Sequence, residues 1–514
     1  MPAADADGRP FPPGAYPLIV VGSGPGALQV SHALRSTGVE HAVISADPSP
    51  GGMFRRWPFF QRLLSWTKPY APEQRGTHEY ERYDWNSLLS DRPELRSLQT
   101  EFMDGSSYFP SRPEMEQNLS AFAARAGVVV RHDTLWQRTR REEGPGGTTF
   151  VLGTTDGEYR TPLLVVAVGV AQPHSPSTPG IEHARHYALT RTAAEYAGRR
   201  VFIIGKQNSG FELASGLAAW ASRIVLSSPS PAKLSVLTRS LVGVRARYVQ
   251  PFEDHFLGFG VSILDAALEQ ITPVEGGLRI GLRRTDNGAA MSVEADDVIA
   301  ATGFTCPLQD LPDVGVTTFG ASGLPALTPF WESVSVPGIY FAGTITQAAG
   351  GLKKHGMPAN SGAVHGHRYN GRILAATIAE RHFGIPRPSS PIAERDLVDF
   401  LLDQATRAPE LWHQKAYLAR VVTLDPEEGI RDMGVQPLAH VLDSGGPDAV
   451  VMTVEADGSG AIFPVVYTRR DGAVEEHPLE PHPLLDYRGQ EHRRALADVV
   501  GRVVPAFAGA IRQG

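Results

Sequence analysis

The chain has 514 residues, of which 42% are hydrophobic and 20% are charged, and its formal net charge is -7. This length exceeds what one hydrophobic core usually serves and predicts two or three domains. The acidic balance disfavours nucleic acid and anionic membranes as main partners, because both select basic surfaces. We therefore expect a small-molecule substrate, while a homodimer remains open.

The N-terminal stretch and the cysteine content narrow the class further. The residues before Tyr16 are rich in Ala, Asp, Gly and Pro and lack the basic and apolar regions of a signal peptide. Apolar runs in the sequence stay shorter than the ~18 residues of a membrane span, so we expect a cytoplasmic protein. Cys306 is the single cysteine, and one thiol cannot make the paired-thiol site of a disulfide reductase.

The first nucleotide-binding signal begins at residues 18–21, a short apolar run typical of a buried parallel strand. A turn and a helical stretch ending near Gly38 follow at once. The turn contains Gly22, Gly24, Pro25, Gly26 and Ala27. In such a turn Gly22 makes the tight bend, Gly24 lets the backbone approach a pyrophosphate, and the small Ala27 permits close helix–strand packing. The helix N-terminus then faces the phosphates.

The residues around this turn decide its interpretation, because a chain of this composition supplies about one such glycine pattern by chance. A second apolar strand lies at residues 42–45, and Asp47 follows about 20 residues beyond the glycines, where an acid binds a ribose hydroxyl. The usual position of that acid is nearer Ser45, so a solvated turn aspartate before Pro48 is the alternative. We predict that this segment holds the ADP half of FAD, with Asp47 as a ribose ligand.

A second strand, turn and helix begin at residues 201–204, and another strand lies at residues 224–226. The predicted cofactor contacts of this turn are Gly205, Gln207, Asn208 and Ser209. Gln207 stands where a second glycine would admit the pyrophosphate. The segment predicts a nicotinamide-binding domain, and a degenerate fold kept for structure is the alternative.

The choice of nicotinamide cofactor depends on residues 227–229, which end the next strand without an acid. We predict NADPH on this ground, with NADH left open. An arginine for the 2′-phosphate is absent at that strand end, and Lys233 and Arg239 are the candidate substitutes.

The domain organisation follows from two similar strand-and-turn segments, residues 163–169 and 297–303, which mark crossovers between domains. Gly303 ends the second segment and is a candidate cofactor contact. We predict an α/β fold with two Rossmann-like dinucleotide-binding domains, the NAD(P)H domain being inserted in the FAD domain. The predicted boundaries are 1–170 and 296–385 for the FAD domain, 171–295 for the NAD(P)H domain and 386–514 for a C-terminal α+β module of unknown role.

These pieces, in this order, resemble the flavin-containing monooxygenase superfamily, and within it the FAD-dependent oxidoreductase domain-containing proteins. The resemblance spans most of the chain and is carried by residues 51–54, 64–68, 84–89, 108–110, 208–209, 343–344 and 365–369. It implies cofactor contacts at Gly52, Met53 and Phe54, and contacts of Gly343 and Thr344 with the ribityl chain and flavin ring.

The resemblance also implies catalytic positions. An asparagine that lies near the flavin in those enzymes is matched here by Thr67, which departs from the pattern. His186 falls near the histidine of the motif by which those enzymes are identified. The endoplasmic reticulum location known in the subgroup is not expected here. We expect no metal, because the histidines and acids lack metal-ligand spacing.

The chemistry implied by the resemblance is oxygen transfer. NADPH would reduce FAD, and reduced flavin with oxygen would give a flavin hydroperoxide that passes one oxygen atom to an amine, a thioether or a ketone, which requires a dry site. We expect N-hydroxylation of a small amine or amino acid in natural-product biosynthesis. Baeyer–Villiger or sulfur oxygenation, an oxidase, and a flavin-bearing scaffold whose tail recruits a partner are the alternatives.

Basic residues near the expected flavin suggest a clamp for a substrate carboxylate. Arg55 and Arg56 follow the glycines at residues 51–52, and Lys353, Lys354 and His355 follow Gly343 at a short distance. We predict Lys354 as the catalytic-site member of this group. The alternative is that the arginines serve the FAD pyrophosphate and the lysines are solvated loop charges.

Overall fold

The computed structural model describes residue 5 and residues 7–58, 60–234 and 260–504. Arg239, one of the predicted partners of a 2′-phosphate, lies outside the described residues. Within the described ranges, no helix is both long and apolar enough to cross a membrane.

The first part of the chain supplies three strands of a parallel sheet, two helices and a separate antiparallel sheet. Its elements are β1 (Ile19–Val21), α1 (Pro25–Ser36), β2 (Ala42–Ile44), α2 (Arg112–Ala126), β3 (Trp136–Gly144), β4 (Gly147–Thr154), β5 (Gly157–Thr161) and β6 (Leu164–Val166). Strands β3, β4 and β5 form the antiparallel sheet, and β1 pairs with both β2 and β6 in parallel. Strand, turn and helix thus follow each other at the first dinucleotide turn, as the sequence predicts.

The second part of the chain contains one α-helix and nine strands among the described residues. They are β7 (Gln172–Pro173), β8 (Arg185–His186), β9 (Arg200–Ile204), α3 (Asn208–Leu217), β10 (Arg223–Ser228), β11 (Val261–Val274), β12 (Gly277–Arg284), β13 (Ala290–Ala295), β14 (Asp297–Ala300) and β15 (Phe304–Thr305). Seven of these strands form one sheet, in the order β13-β12-β11-β10-β9-β14-β8. The long strand β11 pairs in parallel with β10 and then in antiparallel with β12.

The boundary between these two parts lies later than the sequence predicts. Strand β14 pairs in parallel with β9 inside the seven-stranded sheet, so residues 297–300 belong to the second domain rather than to the returning FAD domain. The crossing point is the short antiparallel pair of β7 and β15. Apolar residues 297–300 show only that a buried strand is present, because the sheet that it joins is set by long-range pairing.

The chain then returns to the first sheet. The returning elements are β16 (Thr318–Phe319), β17 (Leu324–Pro325), β18 (Ile339–Phe341) and α4 (Val364–Phe383). The parallel sheet has the order β18-β6-β1-β2. Val20 faces the core formed with α1, α2 and α4, whereas its neighbour Ile19 faces the core formed with the antiparallel sheet. Burial on both faces explains the continuous apolar runs.

The C-terminal module is a six-stranded antiparallel sheet with helices on both faces. Its elements are β19 (Ser390–Pro391), α5 (Leu397–Arg407), α6 (Pro409–His413), β20 (Leu418–Asp425), β21 (Gly429–Pro437), α7 (Leu438–Asp443), β22 (Asp448–Ala456), β23 (Ile462–Arg470), β24 (Ala473–Pro478) and α8 (Gln490–Val503). Helices α5 and α8 cover one face and α7 covers the other. The fold class predicted from the sequence is confirmed.

Candidate functional site

The first dinucleotide turn follows β1 and has the backbone of a phosphate-binding loop. Gly22 has a φ of +125°, and a Cβ there would lie 2.5 Å from the carbonyl oxygen of Ala167, so only glycine fits. Gly24 precedes α1, and Pro25 is in its first turn. In the described part of the chain, no side chain caps α1 and its first turn carries no acid. The helix N-terminus therefore keeps amide donors available for a phosphate.

Two further loops pack against this turn. A Cβ on Gly26 would overlap the Cα of Gly343, which opens the turn after β18. On the other side, a Cβ on Gly52 would lie 3.0 Å from the Cα of Gly24. Ala27 is fully buried in the core, but the closest backbone approach is made at Gly26. Three separate glycine-containing segments thus enclose the place where a pyrophosphate would lie.

Asp47 lies beyond β2 in a small polar cluster. Its Oδ2 is 3.3 Å from the hydroxyl of Ser23 and 3.4 Å from that of Ser45, and these two hydroxyls are 2.9 Å apart. An Arg56 nitrogen lies 3.7 Å from Oδ1. Ser45 occupies the usual position of the ribose acid, and its hydroxyl accepts the main-chain N–H of Asp47. The cluster gives a bound ribose a carboxylate acceptor even though the acid comes two residues late.

One cavity of about 750 Å³ joins the two nucleotide folds. We call it the nucleotide cavity. It collects most of the residues predicted to bind cofactor. These lining residues are Gly22, Gly24, Pro25, Gly26, Asp47, Gly52, Met53, Phe54, Asn208, Ser209, Gly343 and Thr344. Asn208 and Ser209 begin α3 in the second domain, so the cavity is bounded by both domains. The glycine-lined cradle and the uncapped N-terminus of α1 fit the ADP part of FAD.

The remaining predicted residues lie outside the lining of this cavity, although all of them are described. They are Ala27, Thr67, Gly205, Gln207, Gly303 and Lys354. Gly303 lies at the domain crossing, where its carbonyl oxygen is 3.0 Å from Nε2 of His186. Nδ1 of His186 accepts the N–H of Ala188, so Nε2 carries the proton that is donated to Gly303. Burial lowers the pKa of His186. These contacts give His186 and Gly303 a structural role at the crossing.

The second dinucleotide turn repeats the backbone of the first. Gly205 has a φ of +123°, and a Cβ there would lie 2.5 Å from the carbonyl oxygen of Ala301. Gln207 takes the place of Gly24 before the helix, in an extended conformation with an exposed side chain. The turn therefore has the same backbone conformation as the first one at its opening glycine, and the departure is one side chain at the position where a phosphate would approach.

The second fold has an ion pair beside its dinucleotide turn that sequence reasoning missed. Lys206 is buried and pairs with the carboxylate of Asp265 on β11. Asp265 is the register partner of Ser228, the last residue of β10. An acid thus lies beside the strand end that carries none in sequence, but Lys206 neutralises it. Lys233 lies further along the chain, with an exposed side chain.

Thr67 is held in a buried network instead of facing the nucleotide cavity. Its hydroxyl donates to Oδ1 of Asp84 at 2.8 Å and accepts from Nδ2 of Asn86 at 3.1 Å. Its main-chain N–H donates to the carbonyl oxygen of Tyr108. The side chain is fully buried. The geometry therefore assigns Thr67 a structural role, and the catalytic role implied by the family pattern is corrected.

Lys354 also points away from the nucleotide cavity. Its Nζ lies 2.9 Å from Glu455, 2.7 Å from Glu476 and 2.7 Å from the hydroxyl of Tyr467, all in the C-terminal module. Lys353 is exposed and also lies outside the cavity lining. The predicted role of Lys354 in a carboxylate clamp is therefore wrong, because Lys354 already neutralises two carboxylates of the module.

The two arginines of the predicted clamp separate. Arg56 lines the nucleotide cavity beside Asp47. Arg55 forms an ion pair with Glu116 at 3.3 Å and lines a different pocket of the surface. Arg56 is consequently the basic residue of the group that a bound FAD could contact.

Several other lining residues of the cavity were missed by sequence reasoning as functional candidates. His365 and His367 lie in the first turn of α4 and are almost completely buried. Burial lowers the pKa of His367 to about 3, so this ring is neutral at physiological pH. Trp85 also lines the cavity. The centre of its ring is 4.2 Å from that of His365 and 3.7 Å from that of Trp66. Within the described residues, no group of three His, Cys, Asp or Glu side chains could hold a metal ion.

The family assignment follows from comparison with known proteins. A family model described as pyridine nucleotide-disulphide oxidoreductase matches residues 19–343, which is more than half of the chain. The protein belongs to this family. It is a flavin-dependent oxidoreductase, and the predicted membership of the flavin monooxygenase superfamily is confirmed.

Individual relatives are distant. FAD-dependent oxidoreductase domain-containing protein 2 of Mus musculus is 28% identical over 456 residues, covering 82% of this chain and 67% of the relative. Indole-3-pyruvate monooxygenase YUCCA4 of Oryza sativa subsp. japonica is 27% identical over 264 residues, covering 47% of this chain and 53% of the relative. The chain thus spans about two thirds or less of the lengths of these curated relatives.

A solved structure shows the same fold. The ornithine N-hydroxylase of Kutzneria sp. 744, in a complex with reduced FAD, NADP+ and L-ornithine, has a TM-score of 0.52 and 15% identity. The match covers 71% of this chain and 99% of that chain. At this identity the match supports the arrangement of two dinucleotide-binding domains and nothing finer.

The family's name refers to disulfide chemistry, for which this member lacks the thiols. Cys306 is the single cysteine and is partly buried. Burial raises the pKa of its thiol to about 11, so the reactive thiolate is scarce at neutral pH. Cys306 is outside the lining of the nucleotide cavity, although its neighbour Pro307 is part of it. The acceptor of electrons from the flavin must therefore be sought elsewhere.

Proposed function

We propose that the protein is an FAD-dependent, NADPH-driven monooxygenase that transfers one atom of molecular oxygen to a small substrate. The observation that carries the proposal is the nucleotide cavity, which is lined both by the first dinucleotide turn and by Asn208 and Ser209 of the second domain. A nicotinamide held by the second domain would share this cavity with a flavin held by the first. Hydride could then pass between them without a protein-borne relay.

Oxygen is the acceptor that fits this family member best, because the single thiol is protonated and lies outside the cavity lining. Bound FAD would supply the redox chemistry by accepting hydride from NADPH and delivering electrons to oxygen. The overall reaction consumes substrate, oxygen, NADPH and one proton, and yields oxygenated substrate, water and NADP+. One oxygen atom enters the product and the other leaves as water.

The residues of the cavity contribute positioning and exclusion of water. Gly24 and the amides of α1 would bind the pyrophosphate, and Asp47 would accept a hydrogen bond from the ribose. The buried, neutral His367 and the partly buried Trp85 bring uncharged surface to the cavity wall. A site with these properties would exclude water from the place where oxygen reacts.

The first candidate reaction is N-hydroxylation of an amine. Glu212 lines the cavity, and its Oε2 accepts the hydroxyl of Tyr187 at 3.1 Å. A carboxylate in a cavity wall attracts a cationic amine and repels a carboxylate. The Kutzneria enzyme that shares this fold is an ornithine N-hydroxylase and so acts on an amine, and we extend the proposal to biosynthesis of a natural product. The carboxylate clamp is not part of the proposal, because Lys354 lies elsewhere.

NADPH is proposed as the reductant because β10 ends in Ser227 and Ser228 and the nearby Asp265 is neutralised by Lys206. An unpaired acid at this edge would repel the 2′-phosphate, whereas a neutral pair does not. Equal use of NADH would contradict this part of the proposal and leave the oxygen chemistry untouched.

The proposal is tested with purified holoprotein, NADPH, isotopically labelled oxygen and a panel of small primary amines. We expect one labelled oxygen atom in a hydroxylamine product, with NADPH consumed in equal amount. Labelled sulfoxides or esters from matched thioethers and ketones would reassign the reaction within the oxygenases. Product formation without label, or flavin reduction by the amine itself, would overturn the proposal in favour of an oxidase.

A further inference from the structure

One wall of the nucleotide cavity is formed by a loop, residues 350–363, which we call the wall loop. Its cavity-lining members are Pro358, Ala359, Asn360, Gly362 and Ala363. The wall loop has little regular structure of its own. Its shape must therefore be fixed by what lies behind it, and that is the C-terminal module.

The first half of the wall loop contacts the module at three points. The N–H of Leu352 donates to the carbonyl oxygen of Ala416 at 3.1 Å, and a Cβ on Gly351 would lie 2.5 Å from the same oxygen. The side chain of Leu352 packs against the core on the α7 face of the module. Lys354 adds the ion pairs with Glu455 and Glu476.

The second half of the wall loop is held by the last residue of α6 and the residue that follows it. Nδ2 of Asn360 donates to the carbonyl oxygen of His413 at 2.8 Å. Nε2 of Gln414 donates to the hydroxyl of Ser361 at 3.2 Å and to Oδ1 of Asn370 at 2.6 Å. Gln414 and Ser361 are completely buried. One amide group therefore ties the wall loop, α4 and the module together.

The same segment also contacts two aromatic side chains of the cavity lining, those of His365 and Trp85. The ring of His413 is 5.0 Å from that of His365 and 5.5 Å from that of Trp85, and both of these partners line the cavity. Burial lowers the pKa of His413, so an uncharged ring closes this layer. The cavity wall is thus double, with lining residues inside and residues of the module outside.

From these contacts we infer that the C-terminal module is a structural part of the active site, and that Gln414 is a positioning residue that keeps the wall loop closed over the bound flavin. The module is then an internal support and not a separate tail for recruiting partners. The chemical benefit of this arrangement, which is the exclusion of water from the flavin, rests on the proposed function. The closure of the wall loop does not depend on that function, because it concerns only bound FAD.

The test compares two variants of the FAD-loaded full chain. Gln414→Met keeps the length of the side chain and removes both hydrogen bonds to the wall loop and α4. Thr453→Val is the matched control, because Thr453 is a fully buried residue of the same module whose hydroxyl donates to the carbonyl oxygen of Leu418 at 2.8 Å. The probe is iodide, which quenches flavin fluorescence by collision and so reports access of solvent to the flavin.

We expect the quenching constant to rise about threefold in Gln414→Met, because a loop that loses its buried anchors opens locally, and to stay at the wild-type value in Thr453→Val. Equal quenching in Gln414→Met and wild type would overturn the inference. An equal rise in the control variant would also overturn it, because that result means general loosening of the module.

A second variant keeps the test decisive if Gln414→Met does not fold. Lys354→Met breaks the other anchor of the wall loop at a partly exposed position and is expected to raise the quenching constant in the same direction. No rise in that folded variant would contradict the inference. Neither NADPH nor oxygen is needed, so a failure here is distinct from a failure of the proposed monooxygenase reaction.

Discussion

Gln207 separates the second dinucleotide turn from the first at the level of a single side chain. Gly22 and Gly205 have nearly the same φ, +125° and +123°, and both would meet a carbonyl oxygen at 2.5 Å if they carried a Cβ. The backbone that directs the helix at a phosphate is therefore preserved in both folds. What differs is the residue before the helix, Gly24 in one and Gln207 in the other.

Replacing Gln207 by glycine is expected to tighten NADP+ binding about tenfold, which corresponds to ~1.4 kcal/mol. The physical reason is that removal of the side chain lets the pyrophosphate approach the backbone, and glycine is well tolerated before a helix. The measurement is calorimetric titration of the oxidised holoprotein with NADP+. Gln207→Leu, which keeps the bulk, serves as the control and should bind like the wild type. Weaker binding by Gln207→Gly would show that the amide is itself a ligand.

Thr67 offers a second test at this scale. Thr67→Val should lower the free energy of unfolding by ~1–3 kcal/mol, because the buried polar groups of Asp84 and Asn86 lose a partner. Turnover with NADPH should stay within about twofold of the wild type, since Thr67 is outside the lining of the nucleotide cavity. Thr344→Val is the contrasting variant, because Thr344 lines the cavity and its change should alter the flavin absorbance spectrum. A large loss of turnover in a stable Thr67→Val protein would restore its catalytic role.

The sequence predicted the backbone of the two turns but not the partners of Thr67 and Lys354, for one physical reason. Gly22 and Gly205 are dictated by local backbone conformation, which strand, turn and helix patterns report. Thr67 is satisfied by Asp84, 17 residues away, and Lys354 by Glu476, 122 residues away. A family pattern assigns a role to a position but carries no information about such distant partners.

At the level of elements, the same distinction explains the misplaced domain boundary. Strand β14 was recognised from its apolar run, but its neighbours β9 and β8 are 97 and 112 residues earlier in the chain, comparing first residues. The histidines of the cavity wall could not be recognised from the sequence either, because they share a helix turn with residues that pack in the core. Element type is a local property, whereas the choice of sheet is not.

One contact between elements predicts a dependence of stability on pH. Nε2 of His78 lies 2.8 Å from Oε2 of Glu410 in α6, and so joins the FAD domain to the C-terminal module. Burial lowers the pKa of His78, but the charge and hydrogen bond of Glu410, with smaller contributions from Glu81 and Glu79, raise it to about 9. The protonated form is thus favoured in the folded protein.

The sign of this effect follows from the direction of the shift. The raised pKa contributes stability that is fully present below the ordinary histidine value of about 6.5 and is lost as pH rises through about 9. We expect the melting temperature of the wild type to fall across this window more steeply than that of His78→Gln. Thermal unfolding at matched ionic strength measures it. Parallel pH profiles for the two proteins would contradict the assignment.

The whole molecule is best described as one cavity that two domains line and the C-terminal module supports. The FAD domain supplies the cradle of Gly24, Gly52 and Gly343, and the second domain supplies Asn208 and Ser209. The C-terminal module supports the wall loop from outside. Tyr417 and Leu418 of the module are buried in the same core as the FAD domain helices, so the module is built onto the FAD domain rather than tethered to it.

The account depends most on hydride transfer between the two nucleotide folds. It is tested most directly by mixing the FAD-loaded protein with NADPH in the absence of oxygen and following the visible absorbance of the flavin. We predict that the absorbance is lost in a single binding-dependent phase, and that it returns when oxygen is admitted. Flavin that stays oxidised at saturating NADPH and NADH would contradict the account, because the second fold would then hold no functional nicotinamide.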